Sequence, residues 1–294
     1  MIKDKKKRKN LLLVAAIFLV AAGLCAALVM VILQSSPNQL SDPLTDFTTE
    51  PTQEITDPPE NPEPTEPPIP SNLYTKDDFV MDGDYLSCTA AEAILGIDVS
   101  KYQGNINWNQ VKAAGMEFVM IRVGGRGYGA AGGMYADTKA DTYYRGAKAA
   151  GLKIGAYFFS QAITVEEAIE EALYALELTK NWVLDLPIVF DWEYVSETAR
   201  TANISTRMRT DCAKAFCDTL RTAGQEGMIY ISPWFGVPYL DELTDYPQWL
   251  ALYTGEMTYK YRFDMWQYTC TGRVPGVSGD VDINLLFPFD DTFQ

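Results

Sequence analysis

The chain has 294 residues, a formal net charge of −15, five cysteines and no histidine. The missing histidine excludes a Ser-His-Asp hydrolase and the histidine-bearing zinc hydrolases, which leaves acid–base work to carboxylates, lysine, cysteine or tyrosine. The acidic balance argues against nucleic acid and anionic lipid surfaces as partners.

Residues 1–10 form a basic tail, with Lys3, Lys5, Lys6, Lys7, Arg8 and Lys9 against Asp4. Residues 11–33 carry no charge. At about 1.5 Å per residue they make roughly 34 Å of helix, enough for a hydrocarbon core of about 30 Å. The run exceeds the apolar core of a cleavable signal, about 7–15 residues, and Gln34-Ser35-Ser36-Pro37 is a weak cleavage sequence. A single-pass signal anchor is therefore expected, with the tail cytoplasmic and the rest extracellular at the cell membrane. A cleaved signal peptide is the alternative; it would leave the same outer part secreted.

Residues 34–70 read as a disordered stalk. Ten of the 16 prolines fall between Pro37 and Pro70, among eight acids and no bases. Such a segment buries too little apolar surface to order itself. Proline holds it extended, reaching on the order of 100 Å at about 3.1 Å per residue. The tail carries +5 and the stalk −8, which leaves −12 on residues 71–294. Residues 71–93 are a linker or a cap.

Residues 94–294 amount to one domain. Strand-like runs occupy Ile94–Val99, Glu117–Val123, Lys153–Ser160, Pro187–Asp191, Met228–Ser232, Gln248–Leu252, Asp264–Tyr268 and Val281–Leu285. Amphipathic helical runs occupy Asp137–Ala150, Val165–Lys180 and Thr206–Ala223. One junction recurs: Ala113-Ala-Gly115, Ala149-Ala-Gly151 and Thr222-Ala-Gly224 each stop a helix at a C′ glycine before a buried strand. Repeated helix–glycine–strand units imply a parallel sheet with crossover helices, and eight strands imply closure into an α/β, (β/α)-type single barrel. Short connections between the last strands make that barrel irregular. An open doubly wound sheet is the alternative, but it lacks a phosphate loop at the first strand–helix turn. Gly124-Gly125-Arg126-Gly127 reads as a flexible loop above the barrel.

In such a barrel the chemistry lies at the carboxyl ends of the strands. Asp98, the pair Asp191 and Glu193, and Asp282 fall there, with Asp280 competing for the last place. Acids two apart on a strand face one side. The first and last strands are neighbours in a closed barrel, so Asp98 and Asp282 are expected side by side. Crowded acids raise each other's pKa, which a general acid needs near neutrality. Tyr157, Tyr230, Trp192, Trp249 and Trp266 lie near strand ends and are candidate sugar-stacking rings, as is Tyr268, although buried aromatics are also ordinary core. Arg122 reads as an internal ion-pair partner. Cys212 and Cys217 share an apolar helix face as free thiols, and a Cys88–Cys270 bridge stays open. No spacing resembles a metal site, and no cofactor is expected.

Gly96-Ile-Asp-Val-Ser-Lys-Tyr-Gln-Gly104, Ile106-Asn-Trp108, Phe190-Asp-Trp-Glu193, Met265-Trp-Gln-Tyr268 and Gly279-Asp-Val-Asp-Ile-Asn284 resemble the ordered motifs of glycoside hydrolase family 25. These are N-acetylmuramidases of the Chalaropsis-type lysozyme class. The resemblance runs from about Ile94 to Phe289. It implies an irregular β/α barrel that cleaves the β-1,4 bond from N-acetylmuramic acid to N-acetylglucosamine in peptidoglycan. It also implies that Glu193 is the general acid and that Asp191 steadies positive charge or orients the acetamido group, with Asp98 and Asp282 completing the cluster. Phe158 stands where some relatives carry a histidine. The expected partners are peptidoglycan strands and, through residues 11–33, a membrane; the expected state is a monomer. An inactive glycan-binding scaffold, and another paired-carboxylate glycosidase such as a chitinase, are the alternatives.

Overall fold

A computed structural model describes residues 69–233 and 239–288, within the compact unit Pro62–Gln294. The basic tail, the expected span at 11–33 and the stalk up to residue 68 lie outside the described residues. Among the described residues, no helix is long and apolar enough to cross a membrane.

The hairpin β1 (Phe79–Asp82) and β2 (Tyr85–Cys88) comes first. Then follow β3 (Ile94–Val99), α1 (Trp108–Ala113), β4 (Phe118–Arg126), β5 (Met134–Ala136), α2 (Ala140–Ala149) and β6 (Lys153–Ser160). The chain continues through α3 (Val165–Thr179), β7 (Ile188–Trp192), α4 (Thr206–Thr222), β8 (Gly227–Ile231), β9 (Gln248–Ala251), β10 (Met265–Gly272) and β11 (Val281–Leu286). Strands β3, β4, β6, β7, β8, β9 and β10 run parallel, and β11 closes the ring between β10 and β3. The result is an eight-stranded closed barrel.

The three glycine junctions share one geometry. Gly115, Gly151 and Gly224 have φ of 95°, 76° and 78°. The next residues, Met116, Leu152 and Gln225, donate their N–H to Val111, Ala147 and Leu220. Each is the 6→1 bond of a Schellman stop, which turns the chain sharply from helix into strand.

Strand β11 departs from the all-parallel expectation, being antiparallel to both neighbours. Only residues 273–280 join β10 to β11, too few for a parallel crossover of a dozen or more. The chain therefore folds back as a hairpin. Gly124-Gly125-Arg126, expected as loop, is the buried end of β4 and pairs with β5. A Cβ at Gly124 would sit 2.4 Å from the Tyr135 carbonyl oxygen, and one at Gly125 2.6 Å from the Tyr135 hydroxyl. Glycine here serves close strand approach.

Alternation sorts the barrel side chains. Phe118, Met120, Tyr157, Val189, Met228, Trp249 and Met265 fill the interior. Outside, α1 and α2 pack on β3, β4 and β6, while α3 and α4 cover β6, β7 and β8. Among the described residues, no helix covers β9–β11. The β1–β2 hairpin and the segment before it pack there instead as a cap over these strands, through Tyr74, Phe79 and Leu86. The Phe79 ring meets Trp266 edge-on at 4.8 Å, and Tyr74 stacks on Phe287 at 4.6 Å. Cys88 and Cys270, whose pairing the sequence leaves open, are free thiols, as are Cys212 and Cys217.

Because the hairpin stands in for a helix, Phe79→Ala is expected to destabilise the domain by about 2 kcal/mol, below the 3–5 typical of a fully buried ring. Urea unfolding measures it. A loss under about 0.5 kcal/mol, the usual range for surface changes, would mean that the cap contributes nothing.

Candidate active site

Strand β7 delivers the central pair. Ile188, Phe190 and Trp192 turn outward to the helices, whereas Val189 turns inward. Asp191 therefore points into the barrel mouth. It is buried, and its Oδ1 has no hydrogen-bond partner. Glu193 follows one residue past the strand, on the same side and partly open to solvent. Its carbonyl oxygen accepts from Gln161 Nε2 at 3.2 Å. That fully buried amide also donates to the Ser160 carbonyl at 2.9 Å and accepts from Thr201 Oγ1 at 2.8 Å. Gln161 thereby holds the backbone of Glu193 where the sheet no longer does.

The opposite wall is built by β3 and β11. Their register sets Asp282 directly against Asp98. Running antiparallel brings the start of β11 to the mouth where the parallel strands end, so Asp282 arrives there from the beginning of its strand. The two carboxyl groups stand within hydrogen-bonding reach of each other. Asp98 Oδ2 also accepts from Gln267 Nε2 at 2.7 Å and from Asn284 Nδ2 at 2.9 Å. Behind them, Trp249 Nε1 donates to Asn284 Oδ1 at 2.9 Å, and the Tyr230 hydroxyl donates to Gln267 Oε1 at 3.0 Å, joined there by the Tyr253 hydroxyl.

Burial dominates the electrostatics. It raises Glu193 to about 7, with help from the charge of Asp98 and against that of Arg122. It raises Asp98 to about 6, opposed by the donors Asn284 and Gln267. Asp282 rises to about 9 through burial and then through Asp98 and Glu193. Asp191 is held well above the usual carboxylate range by burial, Glu193 and Asp98. Arg122 is the cation facing this group, and its Nε and Nη2 bind Asp137 Oδ2 at 2.9 and 2.8 Å. A protonated carboxyl at the lip beside buried acids is equipped to give a proton to a leaving oxygen. Asp191 and Glu193 are roughly 6–7 Å apart at the backbone.

The structure gathers Asp98, Asp191, Glu193, Asp282, Tyr157 and Tyr230 at one mouth. Tyr157 and Tyr230 both lie edge-on to Trp249, at 6.1 and 5.2 Å. The tryptophans are placed otherwise. Trp192 must face outward because its two neighbours face inward; it packs in the helix layer with Arg209 4.7 Å over its ring. Trp266 alternates outward between Met265 and Gln267, under the cap, donating to the Leu252 carbonyl. Trp249 is interior but only 2 % exposed, so it offers no face to a sugar. Tyr268 also faces the outer layer. Gln161, Tyr253 and Gln267 were missed as site residues. Gln267 stood inside a recognised motif, and alternation with Trp266 marked it as inward; nothing in the sequence marked Tyr253.

Residues 97–277 match the sequence model of the glycosyl hydrolases family 25. Lysozyme M1 of Streptomyces globisporus is 32 % identical over 207 residues, covering 65 % of this chain and 67 % of the relative. The autolytic lysozyme of Clostridium acetobutylicum is 30 % identical, covering 64 % of this chain and 54 % of the relative. Among solved structures, the modular autolysin LytC from Streptococcus pneumoniae superposes with a TM-score of 0.58 at 25 % identity, covering 67 % of this chain and 47 % of that one. The bacterial lysozyme from Streptomyces coelicolor gives 0.51 at 28 %, covering 69 % and 95 %. The chain thus spans about half the length of the clostridial relative and of the pneumococcal autolysin.

Folded, Glu193 keeps its proton up to about 7, against an ordinary value of 4.5. Between these values the folded state binds more protons than the unfolded one, so stability falls as pH rises. Asp98 and Asp282 extend the fall on either side. Glu193→Gln should therefore gain on the order of 2 kcal/mol at pH 8, discounted for partial solvent contact, and nothing near pH 4. Urea unfolding at the two pH values tests this; an equal effect at both would show that Glu193 carries no such penalty.

Proposed function

The chain belongs to glycoside hydrolase family 25, and from that membership we propose that it is a muramidase, hydrolysing the β-1,4 bond from N-acetylmuramic acid to N-acetylglucosamine in peptidoglycan. The observation that carries the reading is the Glu193 carboxyl, which stands at the lip of the mouth and keeps its proton to about 7. In this reading that proton passes to the glycosidic oxygen as the bond to the anomeric carbon breaks. Asp191, with one buried and unpartnered oxygen, faces the acetamido group beside that carbon. Water then bonds to the anomeric carbon as the new hydroxyl, its other proton restores the Glu193 carboxyl, and a reducing end is released. Tyr157 and Tyr230 flank the sugar as walls of the mouth.

Tethering belongs to the same proposal. The basic tail and the uncharged run 11–33 support a membrane anchor with the barrel outside, and the proline-rich stalk supports a working distance from the membrane. Full-length chain should sediment with membranes, and a chain beginning at residue 35 should not. Soluble full-length chain would defeat the anchor while leaving the chemistry untouched.

Glu193→Gln should lower release of reducing ends from purified peptidoglycan by about 10²–10⁴-fold while the fold persists, the usual contribution of a general acid. Wild-type activity should fall above pH 7 as Glu193 loses its proton. Undiminished turnover by the variant would remove Glu193 from the role. Turnover of chitin oligomers in preference to peptidoglycan would replace the muramidase reading with a chitinase.

A further inference from the structure

Hydrogen-bond polarity in this site can be followed outward from groups with no choice. An indole N–H only donates. Trp249 Nε1 lies 2.9 Å from one terminal atom of Asn284, so that atom is the carbonyl oxygen, and the amide nitrogen faces Asp98 Oδ2, at 2.9 Å. The Tyr230 and Tyr253 hydroxyls both meet Gln267 Oε1, and burial keeps both phenols protonated far above neutrality. The Gln267 amide nitrogen meets Asp98 Oδ2 at 2.7 Å. Asp98 receives two N–H bonds, one of them from an amide whose orientation the Trp249 indole imposes, and these favour its ionised form.

Asp282 is placed differently. It stands directly across the ladder from Asp98, close enough for the two carboxyls to share a hydrogen bond. Two carboxyls in that contact do not both ionise. Among the described residues no side-chain N–H donates to Asp282, whereas Asp98 has two such donors. The other titratable groups facing the pair are Asp191, Glu193, Tyr157, Tyr253 and Cys270. Arg122, the cation that acts on Asp191 and Glu193 among the described residues, spends two hydrogen bonds on Asp137.

We infer that Asp98 is the standing anion of this site and that Asp282 serves it as a neutral, proton-donating partner. Trp249 imposes this pattern through Asn284, and Gln267, in contact with Tyr230 and Tyr253, adds the second donor. The consequence for catalysis rests on the muramidase reading: Asp98 then answers the positive charge that forms as the glycosidic bond breaks, and Trp249, Asn284 and Gln267 are positioning residues. The proton pattern itself does not depend on that reading.

The test is infrared difference spectroscopy of the full-length chain at pH 7, joined to peptidoglycan turnover. Asp282→Asn replaces a protonated carboxyl with an amide of the same shape that can still donate to Asp98. Its difference spectrum should lose a protonated-carboxyl band, and kcat should fall by less than about tenfold. Asp98→Asn should instead lose an ionised-carboxylate band and lower kcat by on the order of a hundredfold or more. Trp249→Phe, which removes one N–H, should move the acid limb of the kcat profile to higher pH, a change that loss of packing alone would not produce. Loss of a protonated band in Asp98→Asn, equal damage by the two Asn variants, or an unmoved acid limb in Trp249→Phe would overturn the inference. If Asp98→Asn fails to fold, the band lost by Asp282→Asn decides alone. A wild-type chain that shows these bands but leaves peptidoglycan intact would fault the muramidase reading and not the proton pattern.

Discussion

Carboxylates withdrawn from water are costly unless they keep their protons or find donors, and a mouth lined by four of them cannot tolerate four charges. Much of what surrounds this site follows from that constraint. Asp282 and Glu193 keep protons well into the neutral range, Asp98 is given two amide donors, and Arg122 adds one positive charge at the edge. The aromatic side chains behind the acids act mainly through polarity. Trp249 and Tyr230 each spend their donor on an amide, and the amides meet Asp98. Trp249, whose place near a strand end suggests sugar stacking, instead holds Asn284 against Asp98.

Closure of the barrel makes this arrangement available. Were β11 parallel, Asp282 would lie near its start and therefore at the opposite end of the barrel from Asp98. The short 273–280 connection forces a hairpin, the strand runs backwards, and the two aspartates meet across the ladder. Among the described residues, no helix packs over β9–β11. The N-terminal hairpin closes that gap with Phe79 and Tyr74, so a segment outside the family match completes the wall behind Gln267 and Asn284.

Much of the architecture was legible because it depends on local rules. The Schellman glycines at 115, 151 and 224 declared three helix-to-strand turns, and strands of five to eight apolar residues stood out between them. The errors came where a local signal had two meanings. Gly124-Gly125 looked like a loop, yet it lets β5 and Phe159 approach a buried strand. Trp192 looked like a substrate ring beside catalytic acids, although the alternation that aligns Asp191 with Glu193 turns the residue between them outward.

The amino-acid sequence determined the inventory by itself: carboxylate chemistry in a chain without histidine, two acids at the end of one strand, enough strands to close a barrel, and the motifs of its family. Each follows from residue type and from spacing within a few positions. Which acid keeps a proton and which carries a charge was decided only by the tertiary structure. That depends on burial and on donors that approach from 169 and 186 residues away, Gln267 and Asn284 upon Asp98. Separations of that size leave no periodic trace in a chain; the barrel's closure brings the groups together.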